Sequence, residues 1–161
     1  MLKLGKLADY GTMIVTVLAA EPDRMHSAQD LAARTHVSPP TVSKLLKQLT
    51  KGGLVESLRG SHGGYKLARM PAQITVADVI AAIDGPIGLT ECSVHKGDCA
   101  VESTCGVRGN WRLINTAIHQ ALKSVSLADM AKPLHRTSVS RETVMNFLGV
   151  SSRGPEGRGI S

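Results

Sequence analysis

Aromatic side chains are almost missing from this chain: Trp111, Tyr10, Tyr65 and Phe147 are the full set, 2% of the residues. A core that cannot draw on rings must be aliphatic and alanine-rich, which suits packed helices better than a sandwich. No apolar run approaches the roughly 18 residues that a membrane span requires, and the opening MLKLGKLADYG lacks the apolar stretch and cleavage site of a secretory signal. A cytoplasmic protein with no membrane partner is expected. Cysteine is scarce and odd in number, only Cys92, Cys99 and Cys105, so a framework of structural disulfides is excluded. Acidic residues are outnumbered, 13 Asp and Glu against 19 Lys and Arg, for a net charge of +6 and a pI near 9.5. The imbalance sits in residues 1–70, where ten basic residues face five acidic ones; the remainder carries nine and eight. A basic N-terminal segment favours a polyanionic partner.

At 161 residues the chain holds one good core with appendages, not two large domains. Leu4 to Ala20 reads as an amphipathic helix with Leu4, Leu7, Gly11, Ile14, Val15 and Leu18 on one side, ended by Glu21, Pro22 and Asp23. Asp9 falls about 200° round that helix from Leu7 and points away from the core, as a solvated acid would. Ser27 opens a second helix, with Asp30 supplying a carboxylate to its first turn. After a break at His36 and Val37, Ser38 caps a third helix with Pro39 at its first position. Val42, Leu45, Leu46 and Leu49 form its apolar stripe, and Pro40, Thr41, Ser43, Lys44, Lys47, Gln48 and Lys51 its free side.

Two short helices joined by a tight turn, the second polar and basic outside, make a helix-turn-helix. LVESL and YKLA flank the glycine-rich tip Arg59 to Gly64 as a β-hairpin, and a hairpin directly after a recognition helix is a wing. A phosphate-binding loop is a poor alternative, because no Gly-Lys-Ser/Thr follows and no helix begins there. Thr41, Ser43 and Lys44 lie nearest the bases of double-stranded DNA, with Ser38 and Pro40 beside them. Lys47 and Lys51 are placed for phosphates, and Arg59, Ser61 and His62 for a clamp at the wing tip.

Ile74 to Ile83 reads as a short helix capped by Thr75 and stopped by Gly85-Pro86. It leads to the cysteines, spaced C-x6-C-x5-C. Such thiolates suit a soft metal centre; zinc more often takes closer pairs, which leans the spacing toward an iron–sulfur cluster, with zinc, a thiol switch and three inert cysteines left open. Helical period then resumes, with Trp111, Ile114, Ile118, Leu122 and Val125 along one edge and Leu113, Ala117 and Ala121 beside it. A second copy under two-fold symmetry is the economical cover for that edge, and folding back on its own domain is the alternative. The expected fold is mainly α with a small β-hairpin wing. Its divisions are a winged helix-turn-helix at 1–70, a connecting helix at 71–89, a cysteine loop at 90–106, a dimerisation helix at 107–130, and a largely disordered tail at 131–161 containing a helix-like piece, Glu142 to Leu148.

Taken together, LGKLADYG, VSPPTVSKLLKQL, GLVESLRGSHGGYKLA, ITVADVIAAIDG, the three cysteines and WRLI resemble the winged-helix iron–sulfur regulators of bacteria. That family includes IscR, NsrR and the regulator of the SUF cluster-assembly operon, and the likeness, over about residues 1–130, is nearest the last. The resemblance implies a homodimeric transcriptional regulator and not an enzyme, acting on an imperfectly palindromic operator whose affinity follows a 2Fe–2S or 4Fe–4S cluster. In the IscR branch a histidine three residues after the last cysteine completes the ligand set, but Arg108 stands there in this chain. NsrR-like members use an aspartate in the first helix of the opposite subunit, and Asp9 occupies the matching place. The resemblance thus implies Cys92, Cys99, Cys105 and Asp9 as ligands, with His95, Asp98 and Glu102 as local competitors.

Overall fold

The computed structural model describes residues 4–60, 62–90, 99–100 and 104–132. Three helices come first, α1 Lys6–Ala20, α2 Ala28–Thr35 and α3 Pro39–Lys51, then the strands β1 Val55–Leu58 and β2 Gly64–Leu67. A 3₁₀ turn at Pro71–Gln73, α4 Val76–Asp84, α5 Arg108–Lys123 and the short α6 Leu127–Met130 complete the described chain. The hairpin is antiparallel with Val55 opposite Leu67 and Leu58 opposite Gly64. Mainly helical architecture with a two-stranded wing is therefore as expected.

The core is the aliphatic one that the lack of rings demands: Ile14, Leu31, Val42, Leu45, Leu46, Leu49 and Ile74 are fully buried. The stripe of α1 begins later than its periodicity suggested. Gly5 is the N-cap, so Leu4 lies outside the helix and is 47% exposed, and Leu7 is half-buried, while Ala8 takes the first core position. Gly11 belongs to the stripe for want of space, since a Cβ there would collide with the Ile83 side chain.

Ser27 caps α2 as expected, accepting the Asp30 N–H at 3.0 Å. The Asp30 carboxylate does not return to the cap; it turns to the ring of His26, 2.7 Å from Nδ1. Ser38 is at the N-cap of α3, yet its hydroxyl meets that of Thr41 at 2.8 Å and makes no cap bond. Two prolines at the start of α3 remove N–H groups that would otherwise need it. Gln48, expected on the free side, is half-buried and donates to the Ile83 carbonyl at 3.3 Å.

The C-terminal helix differs most from expectation. It ends at Lys123, so Val125 is not on it; the Val125 carbonyl instead accepts from Val76 N–H at 3.0 Å, and Leu127 N–H donates to Ile74 at 2.8 Å. This bridge brings α6 back onto the winged domain, where Leu127 is fully buried. Residues beyond Lys132, including Glu142 to Leu148, lie outside the described residues.

An ion cluster closes the α1–α2 connection. Glu21 bonds Arg34 at 2.6 Å and Arg24 at 2.8 Å, and the two guanidinium groups, Arg34 foremost, hold its carboxyl down at about 2 from an ordinary 4.5. A carboxyl lowered on folding contributes stability that is complete above its unfolded pKa and is lost as pH falls through the folded one. Glu21→Gln should flatten the acid limb of the melting temperature against pH between about 4.5 and 2; an acid limb identical to that of the parent would contradict the assignment.

Candidate nucleic-acid interface and thiol site

Four basic side chains of the described residues are tied to carboxylates. Arg24 and Arg34 are tied to Glu21, Lys66 to Glu56 at 3.0 Å across the hairpin, and Lys132 to Asp129 at 2.9 Å. Among the described residues, no ion pair engages Lys44, Lys47 or Lys51 of α3 or Arg59 of the wing, and all four are exposed. Cations left unneutralised on one helix face and one hairpin are what a phosphate backbone rewards, because each contact releases condensed counterions. Ser38, Pro40 and Ser43 are exposed beside them and Thr41 is half-exposed.

The turn before α3 is built for that presentation. His36 ends α2 in the left-handed region, φ 56°, the only non-glycine positive φ among the described residues. At the wing, Gly63 N–H closes on the Gly60 carbonyl at 3.0 Å, and a Cβ on Gly63 would strike the Leu58 carbonyl. The tip is tight because glycine stands there. His62 is exposed at this tip, while Ser61 lies outside the described residues.

Cys99 and Cys105 are free thiols, each half-exposed. Cys92, His95, Asp98 and Glu102 lie outside the described residues. Cys105 sits just before α5, its carbonyl accepting from Arg108 N–H at 3.4 Å. Asn115, which sequence reasoning passed over, brackets the approach to the loop: its Oδ1 accepts from Leu89 N–H and its Nδ2 donates to the Ile87 carbonyl, both at 3.2 Å. A lone Asn amid the apolar stripe of a helix was the available signal, since its side chain favours bonding to main chain.

Two free, half-exposed thiols supply the soft donors that an iron–sulfur or zinc centre takes. Asp9 is exposed on the outer side of α1 and lines a cavity of about 350 Å³ with Met13, Val17, Arg34 and Met130. Among the described residues of one chain, no group of three or more His, Cys, Asp or Glu side chains could hold a metal ion, so Asp9 and the two thiols form no such site within a protomer.

α5 has no buried residue along its 16 positions. Trp111, Leu113 and Ile114 are 39%, 72% and 43% exposed. Ile118 and Leu122 are half-buried and face Ile80, Ile87 and Leu4 of their own domain across a cavity of about 510 Å³.

The sequence pattern of the Rrf2 family, described as iron-dependent transcriptional regulators, matches residues 4–133. The chain belongs to the Rrf2 family. IscR of Vibrio campbellii is 32% identical over 133 residues, 79% of this chain and 77% of that protein. NsrR of Halalkalibacterium halodurans is 28% identical over 131 residues, 80% and 90% of the two chains. Among solved structures, CymR, the global cysteine regulator of B. subtilis, superposes with a TM-score of 0.65 at 32% identity, covering 81% of this chain and 97% of its own. IscR of T. potens gives 0.61 at 33%, covering 80% and 85%. This Rrf2 chain is accordingly a transcriptional regulator and not an enzyme. No helix among its described residues is long and apolar enough to cross a membrane.

The two classes of cation on α3 separate experimentally. Lys47→Ala should weaken binding to all DNA sequences and reduce the log–log salt slope by about one unit, while Lys44→Ala should cost affinity for the preferred sequence most. Titrations at several salt concentrations read both, and parental affinity and slope in both variants would remove this face from the interface.

Proposed function

We propose that this chain is a cytoplasmic, homodimeric repressor or activator of iron–sulfur cluster assembly genes. Its grip on an imperfectly palindromic operator would follow the state of a 2Fe–2S or 4Fe–4S cluster. The observation that carries the reading is the position of the free thiols: Cys105 leads directly into α5, the helix whose exposed apolar edge calls for a second copy. Likeness to IscR and NsrR and the family's iron dependence support it.

The cluster would be held by Cys92, Cys99 and Cys105, with Asp9 of the partner subunit as the fourth ligand. Such a centre supplies redox chemistry and reactivity toward oxygen and nitric oxide. One hard carboxylate among three soft thiolates makes a weak corner, which suits a sensor. The exposure of Asp9 on the outer side of α1 is what a ligand offered to another subunit requires. Trp111, Ile114 and Leu113 would pair the two copies, while Thr41, Ser43 and Lys44 read bases and Lys47, Lys51 and Arg59 hold phosphates. Ligation from both subunits would set the distance between recognition helices, and hence the half-site spacing the dimer accepts.

A zinc- or thiol-dependent regulator without a cluster is the competing reading, favoured by the half-exposure of both described thiols and the likeness to a cysteine regulator. Purification without air, visible absorption, and iron and sulfide counts per chain separate the two. A coloured protein that loses colour and operator affinity when the three cysteines become serine is expected, with Asp9→Ala shortening the lifetime of the chromophore in air. Colourless protein that binds its operator selectively after all three substitutions would end the cluster reading; an unchanged chromophore lifetime would return Asp9 to the solvent.

A further inference from the structure

Only two polar side chains are buried among the described residues, His26 and Thr35. Thr35 returns its hydroxyl to the Leu31 carbonyl at 2.6 Å, an ordinary bond within a helix. His26 belongs to no regular element, and neither DNA contact nor metal binding uses it. Its ring is wholly buried, in the connection between α1 and α2.

The main chain of His26 faces the wing. His26 N–H donates to the Tyr65 carbonyl at 3.0 Å and Tyr65 N–H to the His26 carbonyl at 2.8 Å, so one residue serves as a third strand beside β2. The approach is close enough to require the adjacent glycine: at Gly64, φ 155°, a Cβ would stand 2.7 Å from the His26 carbonyl oxygen. The ring faces the other way, with Nδ1 2.7 Å from Asp30 Oδ2 in the first turn of α2 and Nε2 3.9 Å from Glu21 Oε2. Glu21 is fixed in turn by Arg24 and Arg34.

A two-stranded hairpin holds poorly by itself in water. Among the described residues of this wing only the base pair, Val55 and Leu67, is buried, while Glu56, Ser57, Leu58, Arg59 and Gly60 are exposed. Tyr65 lies next to the tip in the register, opposite Ser57, so the bridge to His26 is a tether between the buried base and Arg59. We propose that His26 is a positioning residue for DNA binding, the tether by which the helix-turn-helix fixes where the wing tip stands relative to α3. Removing the ring's partner on α2 loosens the seat on which β2 rests, without touching the DNA face.

The test uses the full-length protein and needs no operator for its first arm. Asp30→Ala, at a half-exposed side chain, avoids a cavity; His26→Leu removes the polar ring, and His26→Asn keeps an amide nitrogen near the Nδ1 position. Hydrogen exchange followed by mass spectrometry should show residues 55–67 exchanging about tenfold faster in Asp30→Ala and His26→Leu, with residues 39–51 unchanged and His26→Asn near the parent. Wing exchange at the parental rate in Asp30→Ala, or acceleration shared equally by α3, overturns the proposal even if His26→Leu does not fold. The second arm rests on Arg59 contacting DNA. With a mixed-sequence duplex, Asp30→Ala should lose about as much affinity as Arg59→Ala, and the double variant no more than either alone. A fast-exchanging wing with additive losses would overturn the link to Arg59, and parental affinity in Arg59→Ala would instead remove the wing contact from the proposed function.

Discussion

A nine-residue helix has to pack against three others at once, and two missing side chains make that possible. α4 meets α1 where Gly11 leaves room for Ile83, and meets α3 where a Cβ on Gly52 would stand 2.7 Å from the Cβ of Ala82. It also contacts α5. Its ends are fixed independently of that packing: Thr75 and Asp78 form a reciprocal capping box, and Gly85 at φ 89° stops the last turn.

The last turn of α4 is shared property. Gln48 of α3 donates to the Ile83 carbonyl, and the segment that leaves α4 is gripped three and five residues later, at Ile87 and Leu89, by Asn115 of α5. α3 and the approach to the thiols therefore lean on neighbouring main-chain groups. Contact alone does not transmit a signal; an element with two arrangements must lie on the path. α5 is the candidate, since no residue along it is fully buried by its own chain.

The elements that sequence made legible are those whose instructions are local. Val42, Leu45, Leu46 and Leu49 lie at helical spacing and are all fully buried, and the glycine-rich tip between two β-prone runs is the wing. Unreadable were the features that depend on what arrives from a distance. Gln48 looked solvated until α4, 35 residues on, covered it. Periodicity carried α5 through Val125, although the capping box of Ser126 and Asp129 opens a new helix there and the bridge between Thr75 and Ser126 fixes the break. Of the site, the exposed cations were legible as a face, but their freedom from ion pairs required knowing where each acidic residue went.

Division of the α5 stripe bears on how pairing and thiols relate. Its C-terminal half, Ile118 and Leu122, is engaged with the chain's own domain, so the surface left for a second copy is the N-terminal half around Trp111, Leu113 and Ile114. That half begins three residues after Cys105. A copy covering Trp111 would come close to Cys105, six residues before it. Had the free stripe been the C-terminal half, pairing and metal binding could have been separate events at opposite ends of the helix. With the free half adjoining Cys105, pairing there and ligation by that thiol would be neighbouring events.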